Sequence, residues 1–281
     1  AIELVNKAYE IGCSAVIVQD LALTKCQLPP IPLFASTQTN IRTPEQARFL
    51  ESLGFKRLIL ARELSLKQIK AIREATSCEL ESFVHGALCV SYSGQCYLSS
   101  HLTGRSANRG ECIQACRSNY DLVDSQGRVL LKNKPILSLK DFSLAEYIPQ
   151  LVDAGISSFK IEGRLKNESY VKNITRHYRK IIDSYGYPKS SYGEIKGGFV
   201  PNIQQTFSRG YTTYFITGQR EKWNSGESAK ATGEHIGKVS SVRKNSILYE
   251  GKSLNNGDGL HIITPKGESI GIRADKVEGN V

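Results

Sequence analysis

Three stretches of the chain repeat one short pattern, a glycine followed by a β-rich run. Aligned on Gly12, Gly54 and Gly155 they read GCSAVIVQD, GFKRLILAR and GISSFKIEG. Side chains alternate between the two faces of a strand. On one face stand Val16 and Val18, Leu58 and Leu60, Phe159 and Ile161, apolar in every copy. That face is expected to meet helices. The other carries Ile17 and Gln19, Ile59 and Ala61, Lys160 and Glu162. A doubly wound sheet wants both faces apolar. A (β/α) barrel instead gives a charged face its interior and its C-terminal mouth. The repeat therefore predicts an α/β chain built as a TIM-like (β/α) barrel.

The rest of the first two thirds fits strand–helix alternation, the mark of a parallel sheet. Strands are expected at Ala15–Gln19, Leu33–Thr37, Arg57–Ala61, Leu80–Val84, Ile136–Leu139 and Ser158–Glu162. Helices are expected over 43–53, 65–76, 144–154 and 168–185. Ser65 with Gln68, and Ser143 with Glu146, fit capping boxes. The last helix places Val171, Ile174, Tyr178, Ile181 and Tyr185 on one face. Between Leu80 and Ile136 the strand spacing more than doubles, and this insertion leaves the strand end where barrel enzymes build their sites. The chain opens inside a helix at Ala1 and contains no methionine, so two barrel units are expected before it. Residues 1–188 read as the partial barrel, with a cysteine-rich insertion at about 86–120. Residues 189–281 read as a Ser/Gly/Lys-rich linker and a small β-barrel-like module, with strands at Gly237–Val242, Ser246–Tyr249, Leu260–Ile263 and Ser269–Arg273.

Composition narrows the class. With 40% hydrophobic and 23% charged residues the chain is not mainly disordered. No uncharged apolar run approaches the roughly 20 residues a bilayer span needs, so no membrane partner is expected. The formal charge of +10 leans toward a polyanion such as RNA, with a merely basic enzyme as the bland alternative. Oligomeric state is not legible.

Cysteine usage points to a reducing cytoplasm. Of seven cysteines, Cys89, Cys96, Cys112 and Cys116 crowd into the insertion as C-x6-C-x15-C-x3-C. Four thiolates suit zinc or a [4Fe–4S] cluster. Zinc sites favour tighter pairs than the first one here, and unrelated free thiols stay open. Cys13, Cys26 and Cys78 read as packing residues.

Glu81-Ser-Phe-Val-His85-Gly-Ala-Leu-Cys89, followed by Tyr92-Ser-Gly-Gln-Cys96-Tyr97-Leu-Ser99, resembles the signature of the peptidase U32, or collagenase-like protease, family. The likeness continues through Arg105, Asn108-Arg109-Gly110, Cys112 and Cys116-Arg117. It also takes in Ala35-Ser-Thr-Gln38 and Phe159-Lys160-Ile-Glu162-Gly-Arg164, spanning roughly residues 1–220. Phe207-Ser-Arg209-Gly210-Tyr211-Thr-Thr-Tyr214-Phe215 resembles the branch that hydroxylates ribosomal RNA. The resemblance implies a TIM-like barrel with an oxygen-sensitive [4Fe–4S] cluster. It further implies oxygen-independent hydroxylation of a pyrimidine in RNA (rRNA or tRNA), with prephenate as a small anionic co-substrate. Family members often carry a cysteine after a Lys-Asp-Leu run. Here Lys140-Asp141-Phe142 is followed by Ser143, read as a helix cap, which leaves Cys116 or an open iron site for the fourth ligand.

Glu81, His85, Lys160, Glu162 and Arg164 are expected around the cluster. Glu81 and His85 could move protons. Lys160 and Arg164 could hold carboxylates or a phosphate. Against these stand an interior ion pair for Lys160 and a satisfied strand-end role for His85. Asp20, Gln38, Arg62 and Glu63 are further strand-end candidates. Arg105, Arg109, Arg117, Lys172, Arg176, Arg179 and Lys180, interleaved with Tyr92, Tyr97 and Tyr120, could hold single-stranded RNA. The competing functions are a peptidase, for which neither H-E-x-x-H nor G-x-S-x-G is present, and a non-catalytic RNA-binding protein.

Overall fold

The computed structural model describes residues 1–187, 197–219, 221–226, 229–231, 233–265 and 269–279. Its main body is a seven-stranded sheet with helices packed against it. Helix α1 (Ile2–Glu10) leads into β1 (Val16–Val18) and β2 (Leu33–Ala35). Helix α2 (Pro44–Ser52), β3 (Arg57–Ile59), α3 (Leu66–Ala75) and β4 (Glu79–Gly86) follow. These four strands pair in parallel and in sequence order. The helix starts are chemically fixed: Thr43 with Gln46 and Ser65 with Gln68 both form capping boxes, and Pro44 pre-sets the first turn of α2. The core between sheet and helices holds Leu58, Leu60, Ile69, Ile72, Leu80 and Val84, all essentially buried.

Beyond β4 the chain makes an isolated hairpin, β5 (Tyr120–Val123) and β6 (Val129–Lys134), before β7 (Asp141–Ser143). Helix α5 is Ile148–Asp153; α4 (Leu98–Thr103) lies inside the cysteine segment. Strand β8 (Ile156–Ile161) pairs with β4 in parallel, and α6 (Glu168–Ser184) covers it. Two expectations fail here. Ile136–Leu139 is a turn, with Ser138 N–H donating to Pro135 O, and the strand lies just after it. Its apolar pattern reports burial of Leu139 rather than strand geometry, and β7 runs antiparallel to β4. Ser143 ends that strand and caps nothing; Leu144 precedes the short 3-10 turn that enters α5. On α6 the buried face is Tyr170, Ile174 and Tyr178, whereas Val171 and Tyr185 are exposed.

After residue 196 the chain first returns to the main sheet. Strand β9 (Tyr211–Thr212) pairs with β7, and Tyr214 and Ile216 enter the core. A two-residue strand carries no readable period. The expected linker, 189–198, lies almost wholly outside the described residues. Downstream, β10 (Gly237–Arg243) pairs with β11 (Ser246–Gly251), and β12 (Gly259–Ile263) pairs with β13 (Ser269–Arg273). Among the described residues the main sheet does not close: β1 pairs only with β2, and Ile17, expected to face an interior, is half exposed.

Candidate functional site

Strand β4 carries the polar spine of the sheet. Glu81 is buried and accepts from Ser158 Oγ at 2.8 Å and from Arg57 Nη1 at 3.1 Å. Lys160 Nζ stands 3.6 Å from the other oxygen of Glu81 and 5.3 Å from the centre of the Phe83 ring. Strand alternation thus places Lys160 as expected, but its carboxylate partner is Glu81, not Glu162. Glu162 belongs to the next layer. It accepts the Arg164 backbone N–H, and Arg62 Nη2 approaches it at 3.5 Å. Arg62 also donates to Ala87 O and lies over the Phe83 ring, with its carbon 3.7 Å from the centroid. The ends of β4 and β8 touch. A Cβ on Gly86, which sits at φ +107°, would fall 2.3 Å from Glu162 O, so only glycine fits there.

His85 is 1% exposed and packed by the rings of Tyr170, Tyr178 and Tyr211. Tyr178 Oη donates to Val84 O at 2.7 Å and therefore accepts from His85 Nδ1 at 3.2 Å. That fixes the proton on Nδ1 and leaves Nε2 enclosed without a partner among the described residues. Burial, with His177 nearby, pushes the imidazole down to about 3. His85 is thus a neutral group inside an aromatic box.

The cysteine segment begins where β4 ends, and three anchors hold it. Glu63 accepts from both Ser93 N–H and Ser93 Oγ. Asn108 Oδ1 accepts from Cys96 N–H. Arg117 donates to Leu88 O, Leu139 O and Ser138 Oγ, fastening the two ends of the segment together. All four thiols are free. Enough protein surrounds the otherwise exposed Cys89 to push its thiol up to about 11, and Cys96 and Cys116 add to the rise. Burial likewise raises Cys116, with Cys112 and Cys96 contributing. The four therefore share one neighbourhood. Among the described residues, however, no three His, Cys, Asp or Glu side chains stand in metal-holding geometry.

Arg62 stands near Cys89, Arg117 near Cys89 and Cys116, and Arg209 and Lys166 lie beyond Arg117. Arg209, 7% exposed, donates from Nη1 to Asp141 at 3.0 Å and from its backbone N–H at 2.8 Å. Lys166 Nζ lies 3.2 Å from the Phe207 ring centre, and its proton affinity is lowered by burial and by Arg209. Arg117 is lowered likewise by burial and Arg209. Arg62, Arg117, Lys166 and Arg209 thus face three carboxylates, Glu63, Asp141 and Glu162. Peptidase family U32 matches residues 1–225 of this sequence. The chain belongs to that family.

Among U32 relatives, the Escherichia coli (strain K12) protein described as 23S rRNA 5-hydroxycytidine C2501 synthase is 47% identical over 281 residues. The match covers 98% of this chain and 43% of that protein. The Bacillus subtilis (strain 168) tRNA hydroxylation protein P1 is 32% identical, over 94% of this chain and 62% of its own length. A Porphyromonas gingivalis protein described as a collagenase is also 32% identical, over 98% and 70%. The chain thus spans about half the length of the first two relatives.

The structure brings Glu81 and Lys160 together, Glu162 to Arg62, and the four cysteines into one region. Arg164 is exposed, and its guanidinium makes no ion pair among the described residues. Asp20 caps a 3-10 turn. Arg117, read as an RNA contact, is instead spent on the chain's own carbonyls. Sequence reasoning missed Asp141, Lys166 and Arg209 as site residues. The first lies in the noted Lys-Asp-Phe run and the last in the Ser-Arg-Gly run, but a short strand gave no periodicity to mark either as inward.

Proposed function

We propose that this U32 chain is the part of an RNA-modifying enzyme that hydroxylates a pyrimidine without dioxygen, using a [4Fe–4S] cluster on Cys89, Cys96, Cys112 and Cys116. The observation that carries the reading is that four thiols share one neighbourhood, Cys96 and Cys116 near Cys89 and Cys112 near Cys116, with Arg62 and Arg117 beside them. Soft thiolate donors suit iron–sulfur chemistry, and the donor set fits, although the loop must draw together to ligate. When bound, a cluster of this kind would supply redox capacity, and Lewis acidity as well if Cys116 left one iron open.

The chain's own residues set the rest. Arg62 and Arg117 hold positive charge against the thiolates. Lys166, without a carboxylate partner among the described residues, and the exposed Arg164 supply donors for a small dianion such as prephenate or for an RNA phosphate. Glu81 and Lys160 form a closed ion pair under this layer, and neutral His85 rigidifies β4 against α6. The parallel order from β1 to β4 and the charged inner face support reading the sheet as part of a (β/α) barrel. No described helix is long and apolar enough to cross a membrane, and seven free cysteines suit a reducing cytoplasm. Against a cysteine peptidase, Cys89 and Cys116 are raised rather than activated.

Anaerobic purification of the full-length protein with iron and acid-labile sulfide analysis tests this. Iron and sulfide in equal amounts, lost on Cys89→Ser, Cys96→Ser or Cys112→Ser, is the expected result. Cys116→Ser decides between four-cysteine ligation and an open iron site. Stoichiometric zinc without iron would sink the proposal.

A further inference from the structure

Three tyrosines lie in or beside the cysteine segment, and their settings differ. Tyr120 is tied down: its hydroxyl donates to Ala115 O at 2.8 Å. Tyr97 is 68% exposed at the start of α4, and no cation lies over it among the described residues. Tyr92 is 56% exposed and has the Arg42 guanidinium over its ring, 4.4 Å from the centroid. We propose that Tyr92, backed by Arg42, is a stacking platform for a base of the RNA beside the thiols. The inference rests on the RNA reading above and adds where a base docks.

The platform is held rigidly. Its neighbour Ser93 is bound twice by Glu63, and Gln95 N–H donates back to Tyr92 O. Gly94, at φ +74°, lies so close to the preceding loop that a Cβ would stand 2.1 Å from Gln38 O. The loop that carries Arg42 is thereby locked to the loop that carries Tyr92. In that loop, Gln38 Oε1 and Asn40 Oδ1 are enclosed with no donor among the described residues. Tyr92 follows Cys89 by three residues, which keeps ring and thiol in one neighbourhood. A cation on one ring face leaves the other for a base, and base–aromatic stacking tolerates any base because each has a π face. Enzymes that modify a base must take it out of its stack, so a pre-built surface to receive it lowers that cost.

The test uses the full-length, cluster-loaded protein under anaerobic conditions. Two fluorescent probes are compared by anisotropy: a short oligocytidylate and an abasic strand of the same length, which keeps the phosphates. The wild type is expected to bind the oligocytidylate roughly tenfold more tightly than the abasic strand. Tyr92→Ala should abolish that difference and leave abasic binding unchanged; Tyr92→Phe, which keeps the ring, should retain it. Unchanged iron content in both variants shows that the site is intact. A full base-dependent difference in Tyr92→Ala, or its loss in Tyr92→Phe as well, overturns the platform alone. Failure of the wild type to bind either probe overturns the RNA reading and the platform with it.

Discussion

Glu81 and Cys89 lie on one continuous stretch of chain, yet their settings are opposite. Glu81 sits in the sheet, buried, with Ser158, Arg57 and Lys160 converging on its two oxygens. Cys89 sits just past the strand end, in a segment held by a few anchors, its thiol near those of Cys96 and Cys116 and bonded to neither. A similar division runs through much of the site. The strand carboxylates Glu81 and Asp141 have spent their bonding capacity on the chain, and so have Glu63, Arg117 and Arg209 in the loops. Other loop residues, Lys166, Arg164, Tyr92 and the four cysteines, have charge, ring face or lone pairs left over. Saturated groups specify the fold, and unsaturated ones are available for ligands. Variants in the first group should fail by unfolding, and those in the second by losing chemistry while folded.

The strongest test of that division is Asp141→Ala. It strands the Arg209 guanidinium, 7% exposed, beside Lys166 and Arg117, which already repel it. Removing one partner of a buried pair costs about 3–5 kcal/mol. Urea unfolding should show that loss, and replacing Arg209 by Met in the same chain should restore part of it. A variant as stable as wild type would mean that the pair is solvated and belongs with the unsaturated group.

His85 offers the next largest effect, read through pH. Its folded value of about 3 lies below the ordinary histidine value of 6.5, so the unfolded chain takes up the proton first. The stabilisation is therefore complete above pH 6.5 and drains away as pH falls toward 3. The loss is on the order of a few kcal/mol. His85→Phe, which keeps a ring among Tyr170, Tyr178 and Tyr211, should flatten the stability curve in that window. An unchanged slope would show that His85 titrates freely, and would return it to the candidates for proton transfer.

The division also explains what was legible beforehand. The Gly12, Gly54 and Gly155 repeat exposed β1, β3 and β8 because strand alternation is local and each copy had enough residues to show it. The capping boxes at Ser65 and the quartet of cysteines were likewise written in spacing. Strand β7 escaped because no copy of the glycine-led repeat marks it, and buried Leu139 mimicked it nearby. Asp141 and Arg209 escaped with it, since a contact between segments so far apart is set by the tertiary fold. Which residue of β4 would meet Lys160 depended on how β4 and β8 align, and register is a property of the pair.

Arg117→Lys comes third. Arg117 fastens Leu88 and Leu139 with one planar fork, and an ammonium cannot span both carbonyls. A loss of about 1–3 kcal/mol is expected, with protease cleavage rising between residues 88 and 139 and nowhere else. Cleavage spread over the whole chain would mean that the clip stabilises the sheet generally and does not hold the segment's ends in particular.

The smallest effect is expected at Lys160, where the two groups come closest to each other. Its side chain is one-third exposed and 3.6 Å from Glu81. Glu81 is already satisfied by Ser158 and Arg57 at shorter range. Losing a longer, partly hydrated pair of this kind costs about 1 kcal/mol or less. A methionine keeps contact with the Phe83 ring that Lys160 now approaches. Lys160→Met should therefore leave unfolding nearly unchanged, and as a member of the saturated group it should also leave RNA hydroxylation intact. The measurement is the hydroxylated nucleoside by mass spectrometry, in cells lacking the native gene and complemented with the full-length variant. Loss of modification in a folded, iron-loaded Lys160→Met protein would place its ammonium on the substrate, and saturation would then no longer separate structure from chemistry in this site.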